Sequence, residues 1–270
     1  MKLGISSYTY PWAIGFPGAI PSNPLTPLQL LKKARDLGLG LVQFGPNMPL
    51  DKLRERQLDE VIDRASSWDI DLEMGTLGIE PEGLRKQLRF AKRIGAILLK
   101  TTLGSPDGTI PTRVEIQNSL RSVLDELAGG EIRLAIDNSR IPARELNEIL
   151  ESVRSPCVGA GLDTAHPLAL PEGWQISIRV LAYRTVSLQI KDFVVQPAPH
   201  RMGFLIKGCP VGHGQLNIPW IVESFAALRV EPSTLLESWT PDQGSLEATV
   251  ALEDLWARQG IKYLRRFIPD

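Results

Sequence analysis

Eight short runs rich in aliphatic and β-branched residues alternate strictly with eight longer amphipathic runs along this chain. The β-type runs are 3–8, 41–44, 70–75, 97–101, 132–137, 158–163, 186–192 and 234–239. The helical patterns are 27–37, 53–68, 81–94, 112–127, 143–153, 173–183, 219–228 and 246–266. Alternating units of this kind build a parallel sheet covered by helices. Eight of them in about 250 residues close into a (β/α)8 barrel, and the chain has 270 residues.

A doubly wound open sheet shows the same alternation, but it usually carries a Gly-rich phosphate loop after its first strand. Here that place reads SSYTYPWAIGFPG, and the chain has neither GxGxxG nor a Walker sequence. No linker or shift of composition divides it. The expectation is an α/β fold, one TIM barrel domain spanning 1–270. Several helices open on capping chemistry, Thr26 before Pro27 and Asn217 before Pro219, and several close on glycine, as at Gly38 and Gly95.

Thirty basic residues against thirty-one acidic ones leave a net charge of -1, so no global field favours nucleic acid or an anionic membrane surface. Cys157 and Cys209 lack the spacing of a metal motif or a disulfide scaffold. The first ten residues contain no apolar core after a basic patch, and no apolar run reaches about 18 residues. These features predict a soluble cytoplasmic protein, either a monomer or a homodimer.

Barrel strands are buried on both faces, so a carboxylate inside one requires a compensating group. The runs LAIDNS, GAGLDTAH, VSLQIKDF and TLLESW place Asp137, Asp163, Gln189 and Glu237 late in four consecutive strands, the first three at equal intervals. Three carboxylates and an amide oxygen converging there predict one divalent cation, Mn²⁺ or Mg²⁺, with Co²⁺ or Zn²⁺ also suitable. The competing reading of each residue is local: it satisfies loop amides or pairs with a lysine. Lys100 and Lys191 are the candidates for such pairing, and both also suit a substrate carboxylate or oxyanion.

Asp163-Thr-Ala-His166, Gln189-Ile-Lys191-Asp192, Gly212-His213-Gly214 and Glu237 resemble the motifs of the xylose isomerase-like sugar isomerases and epimerases. The resemblance implies a TIM barrel, a divalent metal and a small carbohydrate substrate. Three positions depart from the family pattern. Gln189 stands where histidine is usual, Asp137 where glutamate is usual, and His213 where a loop glutamate is usual.

The resemblance further implies that Glu237 and Asp137 move a proton while His166 donates to a substrate oxygen, as an enediolate isomerase or epimerase requires. The shorter Asp137 leaves a β-keto acid decarboxylase as the alternative, because that reaction needs the electron sink and no carbon base. A sugar-binding barrel without turnover is a third reading. The related DNA endonucleases, with three zincs and many histidines, fit poorly to a chain with three histidines. Two long loops, 9–26 and 193–216, follow strand ends and are where a substrate lid is expected. Tyr8, Trp12 and His213 are the candidates in and beside them to wall a pocket.

Overall fold

In a computed structural model of the chain, describing residues 1–104, 108–128 and 132–269, eight strands form a closed parallel barrel. They are β1 (Lys2–Ser6), β2 (Leu41–Phe44), β3 (Asp71–Leu77), β4 (Leu98–Thr102), β5 (Arg133–Asp137), β6 (Val158–Asp163), β7 (Thr185–Ile190) and β10 (Ser233–Leu236). β8 (Asp192–Pro197) and β9 (Phe204–Cys209) form a separate antiparallel pair. Residues 105–107, 129–131 and 270 of the expected 1–270 domain lie outside the described residues. The architecture is a single (β/α)8 TIM barrel.

The packing follows from the patterns that revealed it. Every position of β2 and of β6 is buried, as strands flanked on both faces must be. The helices answer with stripes three and four residues apart: Leu58, Val61 and Ala65 on Glu55–Ser67, and Leu84, Leu88 and Ala91 on Pro81–Arg93. Thr26 and Thr112 begin their helices with capping boxes. Among the described residues no helix is long and apolar enough to cross a membrane, and both cysteines are free thiols.

Several boundaries differ from the sequence expectation. β1 stops at Ser6, because the Ser6 hydroxyl accepts from the Tyr8 N–H at 2.9 Å and turns the chain into a 3-10 segment, Ser7–Thr9. The helical pattern at 112–127 divides into Arg113–Ser122 and Leu124–Ala128. Loop 9–26 contains a short helix, Pro11–Ile14. The largest difference is loop 193–216, where β8 and β9 pair from Asp192↔Cys209 to Pro197↔Phe204.

The barrel register is a stair rather than a level ring. Lys100 pairs with Ala135, two residues before Asp137, and Asp137 pairs with Gly161, two before Asp163. Asp163 is level with Gln189, and Leu236 with Ile190, so that Glu237 follows beside Lys191. This stagger is the shear that closes a barrel. It brings side chains of adjacent strands from successive steps into contact at the C-terminal mouth.

Candidate active site

A cleft of about 470 Å³ opens at that mouth, walled by Tyr8, Gln43, Lys100, Asp137, Arg140, His166, Lys191, Glu237 and Trp239, among others. Its floor is ionic. Lys191 Nζ is ion-paired with Asp163 Oδ2 and stands 2.7 Å from Glu237 Oε2, with the Trp239 ring 5.8 Å away. Lys100 Nζ is 2.7 Å from Asp137 Oδ2. His166 joins the two halves, with Nδ1 3.1 Å from Asp137 Oδ1 and Nε2 3.6 Å from Asp163 Oδ2.

Local structure holds each carboxylate in place. The N–H groups of Ala165 and His166 donate to Asp163 Oδ1 at 2.8 and 3.2 Å. The Ser139 N–H donates to Asp137 Oδ1 at 2.8 Å. Ser6 donates its hydroxyl to Glu237 Oε1 at 2.7 Å. Asn138 binds the Asp163 peptide at both its N–H and its carbonyl. Gly161 makes room for Lys100: a Cβ there would stand 3.3 Å from Lys100 Cε.

These contacts set the charge states. Burial alone would raise the Asp137 carboxyl, but Lys100 and then His166 outweigh it and hold the group well below the usual carboxylate range. For Asp163 burial is outweighed by His166 and Lys191, and the carboxyl is again lowered. Burial would push His166 down, yet Asp163 and Asp137 together raise it. The same balance raises Lys191, through Asp163 and Glu237, and Lys100, chiefly through Asp137. Burial, then the Glu237 charge, pushes the Tyr8 phenol up. The mouth therefore holds ionised acids, two ammonium groups and a histidine biased toward its protonated form.

Of the expected site residues, Tyr8, Lys100, Asp137, His166, Lys191 and Glu237 line the cleft, while Asp163 and Gln189 lie immediately behind it. Trp12 does not line it. Its indole N–H donates to the Thr240 carbonyl at 2.8 Å and its backbone N–H to Glu253, which pins the 9–26 loop to helix Leu246–Leu264. His213 sits exposed in a turn beyond the cleft wall. Asp192 closes that turn, accepting the N–H groups of Gly212, Gly214 and Leu216. Arg140, Gln43 and Trp239 also face the cleft, outside the sequence expectation. Each is a single residue beyond or within a strand, with no spacing pattern to mark it.

The oxygens that a divalent cation would need are present. Gln189 donates to Ser187 at 2.7 Å through its amide nitrogen, while its Oε1 is buried without a hydrogen-bond partner. Asp137 Oδ2, 2.7 Å from Lys100 Nζ, is buried with no other partner. With Asp163 and Glu237 these make a hard oxygen set whose chemistry fits Mg²⁺ or Mn²⁺. Among the described residues no three His, Cys, Asp or Glu side chains are grouped as a ready metal cluster, and Lys191 Nζ pairs with both Asp163 and Glu237.

Comparison with known proteins places this geometry. The sequence model of the family described as xylose isomerase-like TIM barrel matches residues 31–267. The chain is 29% identical over 265 residues to the 3-oxo-isoapionate decarboxylase of Pectobacterium atrosepticum, covering 98% of this chain and 95% of that protein. Among solved structures it resembles D-psicose 3-epimerase from Clostridium cellulolyticum H10, with TM-score 0.73, 16% identity and 99% of each chain covered. It also resembles a xylose isomerase-like TIM barrel protein from Mycobacterium smegmatis in complex with magnesium, with TM-score 0.69, 14% identity and 97% of each chain covered. The chain belongs to the xylose isomerase-like TIM barrel family.

Proposed function

We propose that this protein is a lyase that removes carbon dioxide from a branched β-keto sugar acid. One observation carries the reading: the two carboxylates that would shuttle a proton at carbon are engaged as ions, Asp137 by Lys100 and His166, Glu237 by Lys191 and Ser6. Asp137, held well below the usual carboxylate range chiefly by Lys100 and His166, is a weak base toward carbon. Decarboxylation requires none. The bond between the carboxyl carbon and its neighbour breaks, its electron pair forms the enolate, and the negative charge moves to the former keto oxygen.

The ammonium groups of Lys100 and Lys191 face the cleft where that charge develops. His166, with its raised pKa, returns a proton and completes the ketose product. A divalent ion, Mn²⁺ or Mg²⁺ with Co²⁺ or Zn²⁺ as alternatives, held by Asp137, Asp163, Gln189 and Glu237, would supply further polarisation of the keto oxygen. The Asp163 and Glu237 oxygens that would hold it include those paired with Lys191 here. The similarity to a decarboxylase over nearly the whole chain supports the same reaction.

A metal-dependent isomerase or epimerase is the second reading, favoured by Glu237 on the cleft wall and by the ketose epimerases of the same fold. The proposal includes a single domain over 1–270, a cytoplasmic location, a carbohydrate substrate, and no nucleic-acid or membrane partner. A homodimer is compatible with the apolar hairpin tip, where Met202 and Phe204 are exposed. The test is incubation with Mn²⁺ and keto sugars or keto sugar acids in heavy water. Carbon dioxide release supports the lyase, and deuterium uptake beside the carbonyl without gas supports the isomerase. Neither, over a broad panel, would leave the sugar-binding barrel.

A further inference from the structure

Three long cationic side chains face the cleft, and two of them, Lys100 and Lys191, are paired with carboxylates of the protein. Arg140 is different. It lies exposed on the cleft wall, and among the described residues its guanidinium has no ion pair and no hydrogen bond. Yet it stands on a firmly held segment. Ser139 before it is tied to Asp137, Asn138 is tied to Asp163, and Ile141 after it is buried. The guanidinium lies along Gly104, where an added Cβ would meet Arg140 Nε at 3.4 Å and Cζ at 3.6 Å. A planar fork with its donors open, on a rigid stalk at the pocket rim, is the geometry that recognises a carboxylate in bidentate fashion.

We infer that Arg140 binds the carboxylate of an anionic sugar-acid substrate, and so sets the preference of this cleft for sugar acids over neutral sugars. The identity of the ligand rests on the lyase reading. The division of labour is between rim and floor: Arg140 orients the carboxylate, while Lys100, Lys191 and His166 act on the keto oxygen and the carbon beside it. Arg140 thus contributes to binding more than to the chemical step.

The test uses the full chain and two probes, isoapionate, which lacks the keto group and so keeps its carboxyl, and the methyl ester of isoapionate. Titration calorimetry is expected to show the wild type binding the acid at least tenfold more tightly than the ester. Arg140→Gln is expected to lower acid affinity about tenfold to the ester's level, leaving ester affinity unchanged, with Arg140→Lys between them. With 3-oxo-isoapionate, KM should rise by a similar factor while kcat stays within about twofold.

An acid-to-ester ratio that is the same in wild type and Arg140→Gln, or no acid preference in the wild type, overturns the inference. If the ratio collapses in Arg140→Gln but the wild type releases no carbon dioxide from any keto sugar acid, the carboxylate clamp stands and the lyase reading falls. Gas evolution with an unchanged ratio keeps the lyase and removes the clamp.

Discussion

Lys191 Nζ lies 2.7 Å from Glu237 Oε2, a residue forty-six positions away in sequence that the last strand brings beside it. The same nitrogen is bonded to Asp163. Replacing Lys191 by Met leaves two buried carboxylates facing each other, and removing one partner of a buried pair costs about 3–5 kcal/mol. The expected drop in thermal midpoint is roughly 10 °C for a chain of this size. On the proposed metal site, added Mn²⁺ should raise the midpoint of the variant more than that of the wild type, because the ion would compete with the ammonium for the same oxygens. Equal Mn²⁺ shifts in parallel melting curves would separate the metal from this position.

Asp137→Asn keeps the shape of the side chain and removes its charge. His166 then loses a counter-ion at 3.1 Å and Lys100 one at 2.7 Å. On the lyase reading, carbon dioxide release should fall about 100-fold, the scale of positioned acid catalysis. The alkaline limb of the pH profile of kcat/KM should move to lower pH, since Asp137 contributes to raising His166. An unmoved limb would remove His166 as the proton donor.

Acid should weaken the fold through the same residues. Asp137 and Asp163 are depressed in the folded state, so their contribution is present above the unfolded carboxyl value of about 3.9 and is lost as pH falls through the folded values. His166 runs the other way: its raised value gives stability below about pH 6.5 that disappears as pH climbs through the folded pKa. Urea midpoints measured from pH 3 to 9 should therefore fall at both ends. A flat acid side would contradict the ionised floor.

Glu253 offers an independent pH test away from the cleft. Burial pushes its carboxyl up to about 7, against the N–H donors of Trp12 and Ala13 and the charge of Lys33, while Asp254 adds to the rise. A raised carboxyl favours folding most in its protonated form, so stability attributable to Glu253 should decline as pH rises from about 4.5 to 7, by at most about 3 kcal/mol. Glu253→Gln should remove that slope. It also leaves only one good acceptor for two backbone donors, each now at 3.0 Å. Faster hydrogen exchange at the Trp12 and Ala13 amides would be the accompanying signature.

The barrel was legible because its strands are buried on both faces and its helices carry one apolar stripe, so period and length alone separate them. The strand-end acids were legible for a related reason: Asp137, Asp163 and Glu237 are charges in otherwise apolar runs. Their immediate partners were harder to assign. Nothing in the sequence decides whether the cation beside Asp163 is a metal or the ammonium of Lys191, since that depends on a two-residue stagger between strands. The β8–β9 hairpin escaped because its strands are largely exposed and bury no continuous apolar face. Arg140 and Glu253 are single charges in a loop and on a helix, and only three-dimensional neighbours distinguish them from solvated ones.

The placement of Lys191 beside both Asp163 and Glu237 also bears on how the last strand is accommodated. A cluster of acids at the top of a barrel would ordinarily oppose the docking of its last strand. Here the counter-charge is encoded in the chain itself, one strand earlier, so Glu237 at the end of the last strand faces an ammonium group as well as the Asp163 carboxylate. The charge balance at this mouth is thus met by side chains of the chain itself.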